Sequence, residues 1–206
     1  VLFFCSPNNP TGTVLDREKL LAILAATAGK SIVVVDEAYI EFCPQFSMVD
    51  LIKQYPNLVI TRTLSKGFAL AGLRCGFTLA NSEVISLLLK VIAPYPIPEP
   101  VAQIAAQALS DRGLDTMRQR VLWLNRLKAE LKAELLKQPC VKQVFDDHGN
   151  FLLARFESGS RLFQAMVDAG IILRDFGTKP MLEESVRITI GDEAEMAAVL
   201  DVLKSL

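Results

Sequence analysis

Short apolar runs alternate with helical segments in the first third of the chain. Residues 1–5, 32–35 and 58–63 are apolar or β-rich runs, which is the pattern of parallel strands buried on both faces. Between the first two runs, residues 16–28 place leucines at helical spacing and are followed by Gly29, which predicts a helix with a glycine cap. The alternation of strand and helix predicts a mainly parallel sheet of the α/β class.

The pattern of the middle of the chain is mostly helical. A fourth strand is predicted at residues 75–80 and a helix at 82–91, and the prolines at 94–100 then predict a stiff connector. Residues 101–109 are alanine-rich, and we expect them to form a buried helix. Residues 114–137 carry apolar side chains at spacings of three and four, which is typical of a long amphipathic helix.

From about residue 141 the pattern changes to short strands with helices between them. The predicted strands are 141–145, 151–156, 171–173 and 186–190, and the predicted helices are 160–169 and 192–206. Strands with helices packed on one face are typical of an α+β domain. We therefore predict part of a three-layer large domain over 1–110, a long connecting helix over 111–140 and a small α+β domain over 141–206.

Composition narrows the classes of function. Apolar residues make up 51% of the chain and the mean hydropathy is +0.32, yet no apolar run is long enough to span a bilayer. The net charge of -1 provides no basic field for nucleic acid or for an anionic membrane surface, so a small-molecule site is expected.

The four cysteines form no metal-binding or disulfide pattern. Cys5, Cys43, Cys75 and Cys140 are far apart, with no C-x-x-C pair and no grouping with histidine. We expect buried thiols, no metal site and a reducing, cytoplasmic compartment. The apolar start at Val1 lacks a methionine and a basic leader, which indicates that the chain begins in the middle of a fold.

Polar side chains follow several of the predicted strands, where a parallel sheet binds its ligands. They are Asn9, Asp36 with Tyr39, Ser65 with Lys66, and Arg74. A partly desolvated lysine at such an edge can react with an aldehyde, whereas most lysines are solvated surface residues. An aspartate that ends a valine strand is costly unless it is exposed at a crevice or paired with a cation.

Four motifs in order give the chain a family resemblance. They are S-P-N-N-P-T-G at 6–12, V-V-V-D-E-A-Y-I-E-F at 33–42, R-T-L-S-K-G-F-A-L-A-G-L-R-C-G at 62–76 and V-R-I-T-I-G at 186–191. Any one of them is weak, but together they span the chain. The chain resembles the fold-type I pyridoxal-phosphate-dependent aminotransferases, and within them those that act on histidinol phosphate.

The resemblance implies a role for each matched residue around pyridoxal 5'-phosphate. Lys66 matches the Schiff-base lysine and proton carrier, and Asp36 matches the partner of the pyridine nitrogen. Tyr39 and Asn9 match the ligands of the phenolic oxygen. The family's phosphate-binding positions are matched by Ser65, Arg74 and, less closely, Thr63.

The resemblance also implies substrates and partners. Arg187 and Arg174 match the arginines that hold the substrate's anionic group, and two guanidinium groups suit the phosphate of histidinol phosphate. Without the resemblance, both would be read as surface charges. The implied reaction transfers an amino group between histidinol phosphate and 2-oxoglutarate, with glutamate as the second amino compound, in histidine biosynthesis. The intact enzyme is expected to be a cytoplasmic homodimer.

Other interpretations remain at this point. The same cofactor and fold could serve a decarboxylase of a phosphorylated amino acid or an aromatic aminotransferase, or the chain could bind no cofactor at all. The family has a further amino-terminal segment that completes the cofactor pocket, and we expect the pocket of this chain to be incomplete. His148 is expected to be a solvated loop residue and Trp123 a packing residue.

Overall fold

The computed structural model describes residues 1–205, which fall into two compact units. The first unit comprises Val1–Asn8 and Val14–Val121, and the second comprises Asn9–Thr13 and the chain from Leu122 onward. The division falls inside one long helix, Asp111–Leu135, which therefore contributes to both units.

A four-stranded sheet forms the centre of the first unit. Its strands are β1 (Leu2–Cys5), β2 (Val33–Asp36), β3 (Leu58–Thr63) and β4 (Gly76–Ala80), in the spatial order β1-β2-β3-β4. The first three are parallel, and β4 returns antiparallel to β3. The register pairs Cys5 with Asp36 and Asp36 with Thr61, so the carboxyl ends of β1 and β2 lie level with each other.

Helices accompany this sheet in the order that the apolar pattern predicts. They are α1 (Arg17–Ala26), α2 (Ser82–Val91), α3 (Glu99–Ala108) and the first part of α4 (Asp111–Leu135). α1 begins after Asp16, whose carboxylate accepts a hydrogen bond from the backbone N–H of Lys19 at 2.9 Å. Leu20 and Leu24 of α1 are fully buried in one apolar cluster with side chains of β2 and β3.

The expected burial of β1 and of α3 is wrong for this structure. β1 is an edge strand, and the side chains of Leu2 and Phe3 are 39% and 75% exposed. No residue of α3 is buried. An apolar sequence predicts a strand or helix, but burial also requires a neighbouring element on that face, and the described residues supply none there. α3 also begins at Glu99, inside the predicted proline connector, because proline is tolerated in the first turn of a helix.

The second unit is built on an antiparallel sheet. Its strands are β5 (Val141–Val144), β6 (Phe151–Phe156), β7 (Arg174–Asp175) and β8 (Ser185–Thr189), in the spatial order β5-β6-β8-β7. Its helices are α5 (Gly159–Asp168) and α6 (Glu193–Lys204), and α4 adds its second part. Alternate residues of β6, Leu152, Ala154 and Phe156, join these helices in a single apolar core.

One predicted strand of the second unit is wrong. Residues 171–173 were expected to pair in the sheet, but the strand is the following pair, Arg174–Asp175. The N–H of Ile171 donates a hydrogen bond to the carbonyl of Met166, near the end of α5, at 2.8 Å. The apolar side chains of Ile171 and Leu173 still contact the core. The other predicted elements are confirmed with small shifts at their ends; the final position of the last predicted helix lies outside the described residues.

A buried ion pair connects the end of β2 to β3. The side chain of Glu37 is 1% exposed, and Arg62 donates to its Oε2 from Nε at 3.0 Å and from Nη2 at 2.8 Å. The N–H of Met48 and the hydroxyl of Ser47 donate to the same carboxylate, with Met48 N at 2.7 Å from Oε1. These contacts fix the irregular segment after β2 against the sheet.

Removal of Arg62 should therefore destabilise the first unit strongly. Arg62→Ala leaves the Glu37 carboxylate buried without its cation, and we expect the free energy of unfolding to fall by about 3 kcal/mol. The matched control is Arg17→Ala, which breaks the solvent-exposed pair with Asp50 and should cost less than about 1 kcal/mol. Urea unfolding followed by circular dichroism measures both. An equal effect of the two substitutions would contradict this account of the buried pair.

Candidate functional site

Five of the residues that the sequence singles out lie at the ends of β2 and β3 or just after them, in the first unit. Arg74 precedes β4, which returns antiparallel beside β3. Asp36 is the last residue of β2, and its Oδ1 accepts a hydrogen bond from the N–H of Ala38 at 3.0 Å. Tyr39 follows three residues later and is buried, with 6% of its surface exposed. The carboxylate and the phenol are thus fixed at the carboxyl edge of the sheet.

Lys66 lies in the turn that follows β3. Its Nζ is 5.3 Å from the centroid of the Tyr39 ring, so the ammonium group faces an aromatic ring. The turn is held by its own backbone, since the N–H of Ala69 donates to the carbonyl of Lys66 at 2.9 Å and Leu70 N–H donates to the carbonyl of Leu64 at 3.0 Å. Ala69 has a φ of 57°, a left-handed conformation that gives this turn its shape.

Thr63, Ser65 and Arg74 lie on the two sides of the same connection. The Thr63 hydroxyl accepts a hydrogen bond from Ser65 N–H at 3.1 Å, lies 2.8 Å from Ser65 Oγ and 3.2 Å from the carbonyl of Cys75. Arg74 also has a left-handed φ of 54°, and its Nη1 donates to the carbonyl of Ala71 at 3.1 Å. Because β3 and β4 are antiparallel, Gly76 pairs with Thr63, and Arg74 lies two residues before that pair.

Asn9 does not belong to this group within the first unit. β1 ends at Cys5, and the segment Asn9–Thr13 is part of the second unit. There the side-chain carbonyl of Asn9 accepts a hydrogen bond from Nη1 of Arg187. The sequence expectation placed Asn9 at the end of a strand; in the structure it lies four residues after the last residue of β1.

The second unit brings the two predicted substrate arginines together. Arg174 of β7 is the ladder partner of Arg187 of β8, so the two side chains leave the same face of the sheet. The guanidinium carbon of Arg187 lies 5.1 Å from the centroid of the Phe151 ring and 5.8 Å from that of Phe176. Arg187 is thus oriented by two aromatic faces and by Asn9, whereas Arg174 is exposed.

Two further polar residues of the second unit have structural partners. Nδ1 of His148 lies 3.0 Å from the carbonyl of Gly12, so the half-buried ring contacts the Asn9–Thr13 segment and is not the solvated loop residue that was expected. Nε1 of Trp123 donates to the carboxylate of Glu193 at 2.8 Å. Within residues 1–205, no group of three side chains has the composition of a metal site, and no helix is long and apolar enough to cross a membrane.

Glu41 is a residue of interest that the sequence analysis did not single out. It lies just after Tyr39, and burial raises the pKa of its carboxyl to about 7; attraction by Arg62 lowers this pKa and repulsion by Glu37 raises it. A glutamate within the motif V-V-V-D-E-A-Y-I-E-F was visible in the sequence. Its burial was not, because that depends on the turn after β3 folding over it.

Known proteins resemble this chain over its whole length. The family model described as "Aminotransferase class I and II" matches residues 1–203. The histidinol-phosphate aminotransferase of Aeromonas hydrophila is 63% identical over 206 residues, which is all of this chain and 58% of that protein. The chain spans little more than half the length of the curated relatives that it matches.

Solved structures give the same result for the fold. The histidinol-phosphate aminotransferase of Clostridium acetobutylicum matches 98% of this chain and 62% of its own, with a TM-score of 0.90 and 31% identity. A decarboxylase from Sulfurospirillum multivorans matches 98% of this chain and 60% of its own, with a TM-score of 0.86 and 27% identity. The predicted α/β fold is confirmed, and the chain belongs to the aminotransferase class I and II family.

Proposed function

We propose that this chain provides the cofactor lysine and the substrate arginines of a pyridoxal-phosphate-dependent aminotransferase that acts on histidinol phosphate. The observation that carries the proposal is the gathering of a carboxylate, an amine and a phenol, Asp36, Lys66 and Tyr39, at one edge of the sheet. Identity of 63% to a histidinol-phosphate aminotransferase supports the choice of substrate. The amino acceptor is 2-oxoglutarate, which leaves as glutamate.

The donor set of the first unit fits the cofactor. The cofactor's aldehyde requires an amine, and its ring nitrogen requires a carboxylate. Its phenolic oxygen requires a hydrogen-bond donor such as a phenol, and its phosphate requires a cation with hydroxyl groups. Lys66 would hold the aldehyde, Asp36 the ring nitrogen, and Ser65, Thr63 and Arg74 the phosphate. Tyr39 and, by the family resemblance, Asn9 would hold the phenolic oxygen. When bound, pyridoxal phosphate supplies an electron-withdrawing ring that stabilises negative charge on the substrate carbon.

The protein's own groups would do the proton chemistry. The Lys66 amine in its neutral form takes the proton from the substrate carbon that bears the amino group. The Asp36 carboxylate keeps a proton on the ring nitrogen, because a nearby negative charge favours the protonated form. Tyr39 lies against Lys66 and limits the positions that its Nζ can reach.

Arg174 and Arg187 would bind the substrate's phosphate. Two cations on directly opposed positions of neighbouring strands repel each other, and a phosphate dianion between them would relieve that repulsion. The planar guanidinium group binds phosphate oxygens in pairs. The two aromatic rings and Asn9 hold Arg187 in place before substrate arrives, which reduces the entropy lost on binding.

The family resemblance supports three further parts of the proposal. The reaction belongs to histidine biosynthesis, the enzyme works in the cytoplasm, and the intact enzyme is a homodimer. The second candidate is a decarboxylase, which is favoured by the structural match to a decarboxylase from Sulfurospirillum multivorans. A phosphorylated amino acid as its substrate follows from the family resemblance alone. Formation of glutamate from 2-oxoglutarate distinguishes the transferase, and release of carbon dioxide without an amino acceptor distinguishes the decarboxylase.

The attachment of the cofactor tests the role of Lys66. We expect the chain, mixed with pyridoxal phosphate and reduced with borohydride, to gain the mass of one cofactor on the peptide that contains Lys66. Lys66→Arg keeps the positive charge but should remove the adduct, because a guanidinium group does not condense with the aldehyde. Lys53→Arg, at an exposed lysine of the same unit, should leave it unchanged. Labelling at another lysine, or no uptake by the folded chain, would refute the cofactor proposal for this chain.

The use of histidinol phosphate tests the paired arginines. Arg187→Ala and Arg174→Ala should each weaken the binding of histidinol phosphate about 10- to 100-fold, the value of a charge-assisted hydrogen bond, and leave cofactor attachment unchanged. Isothermal titration calorimetry with histidinol phosphate and with unphosphorylated histidinol measures the effect. Arg118→Ala, at an exposed arginine paired with Asp115, is the control. If an arginine variant binds both ligands as the unaltered chain does, that arginine does not hold the phosphate.

A further inference from the structure

The loop between β5 and β6, residues 146–149, contacts the backbone of the segment that carries Asn9. A methyl group in place of one hydrogen of Gly12 would lie 2.7 Å from the carbonyl carbon of Asp146 and 3.2 Å from the backbone nitrogen of Asp147. Gly12 also has a φ of 71°, a left-handed conformation that favours glycine. A glycine at this position therefore lets the Asn9–Thr13 segment lie directly against the loop.

His148 adds a hydrogen bond to this contact. Its Nδ1 lies 3.0 Å from the carbonyl oxygen of Gly12. A carbonyl oxygen has no proton to give, so Nδ1 is the protonated nitrogen and donates. Gly12 is only three residues from Asn9, and the ring of Pro10 restricts one of the few backbone torsions that separate them. The position of Gly12 therefore limits the position of the Asn9 side chain.

The same loop supports two of the side chains that hold Arg187. Nη1 of Arg187 donates to the side-chain carbonyl of Asn9, and its guanidinium carbon lies 5.1 Å from the centroid of the Phe151 ring. That ring packs on the loop, since a methyl group at Gly149 would lie 2.7 Å from Cε1 of Phe151. The loop thus reaches Arg187 by two routes, one through the Asn9–Thr13 segment and one through the Phe151 ring.

Two lysines of α4 fix the loop itself. Lys128 is 5% exposed, and its Nζ donates to the carbonyl of Gly149 at 2.6 Å. Nζ of Lys132 lies 3.1 Å from Oδ2 of Asp147. The second part of α4 is packed in the apolar core of this unit, so the loop is attached to a rigid element.

We propose that His148 is a positioning residue for Arg187, which holds the Asn9–Thr13 segment on the loop and thereby fixes the direction of the guanidinium group that receives the substrate's phosphate. The inference rests on the proposed role of Arg187 in phosphate binding. His148 touches neither substrate nor cofactor in this account and acts through Gly12 and Asn9. A guanidinium group that is already ordered loses less conformational entropy when it binds an anion, which strengthens binding.

The mobility of the Arg187 side chain tests this role without any ligand. The ¹⁵N signal of its Nε, identified by its absence in Arg187→Ala, gives a heteronuclear NOE that reports motion on the picosecond to nanosecond timescale. We expect a high value in the unaltered chain and a lower one in His148→Ala. His148→Asn should restore the high value, because the amide of asparagine can donate from nearly the position of Nδ1. Equal values in His148→Ala and in the unaltered chain overturn the proposal.

Two further variants separate positioning from a general effect on the fold. Gly12→Ala forces the Asn9–Thr13 segment off the loop, so it should lower the Arg187 NOE at least as much as His148→Ala does. Gln164→Ala removes an exposed hydrogen bond to Asp168 in the same unit and should leave the NOE unchanged. Thermal unfolding shows that each variant is folded at the temperature of the measurement. A fall of the same size in Gln164→Ala contradicts the proposal.

The binding of histidinol phosphate tests whether His148 acts through Arg187. His148→Ala should weaken this binding about 3- to 10-fold, the effect of losing one hydrogen bond, and should leave the binding of unphosphorylated histidinol unchanged. In the Arg187→Ala background the same substitution should have no further effect, because two residues that act through one another are not additive. Isothermal titration calorimetry of the four proteins measures this. Full additivity of the two substitutions refutes the positioning role.

The two proposals fail in different ways. If Arg187→Ala binds histidinol phosphate as the unaltered chain does, the phosphate-binding role of Arg187 is refuted, while a lower NOE in His148→Ala still supports the positioning of this side chain. If Arg187→Ala weakens binding but His148→Ala changes neither the NOE nor the affinity, the positioning role of His148 alone is refuted.

Discussion

The parallel pairing of β1, β2 and β3 is the constraint on which the first unit depends. Parallel strands in register end at the same edge of a sheet, so the residues that follow β2 lie close to the residues that follow β3. The antiparallel return of β4 then brings Arg74 back to the same connection. Three separate stretches of sequence thus supply one group of polar side chains.

The acidic side chains at this edge of the sheet are each stabilised in a different way. The Asp36 carboxylate accepts a backbone hydrogen bond at the end of its strand. Glu37 is neutralised by Arg62, and the pair receives further hydrogen bonds. Oε2 of Glu41 is buried without a hydrogen-bond partner among the described residues, and burial raises the pKa of this carboxyl to about 7.

The second unit holds two arginines close together by a different arrangement. Arg187 and Arg174 are opposed on neighbouring strands, an arrangement that is unfavourable without an anion. Aromatic faces on both Phe151 and Phe176 offset part of this cost for Arg187 and fix its direction. The paired arginines are thereby held by a small sheet with a well-packed core behind it.

The sequence by itself determined the order and type of most elements, because apolar periodicity and turn residues are local properties. It also singled out Lys66 and Asp36, since charged residues at strand ends are visible in a linear pattern, whereas both arginines were singled out only by the family resemblance. Only the tertiary structure decided which of them meet. The exposure of Phe3, the cross-strand pairing of Arg174 with Arg187, the contact of Asn9 with Arg187 and the burial of Glu41 against Gly67 each depend on residues far apart in the chain. Burial and pairing are set by which elements become neighbours, and no local pattern contains that information.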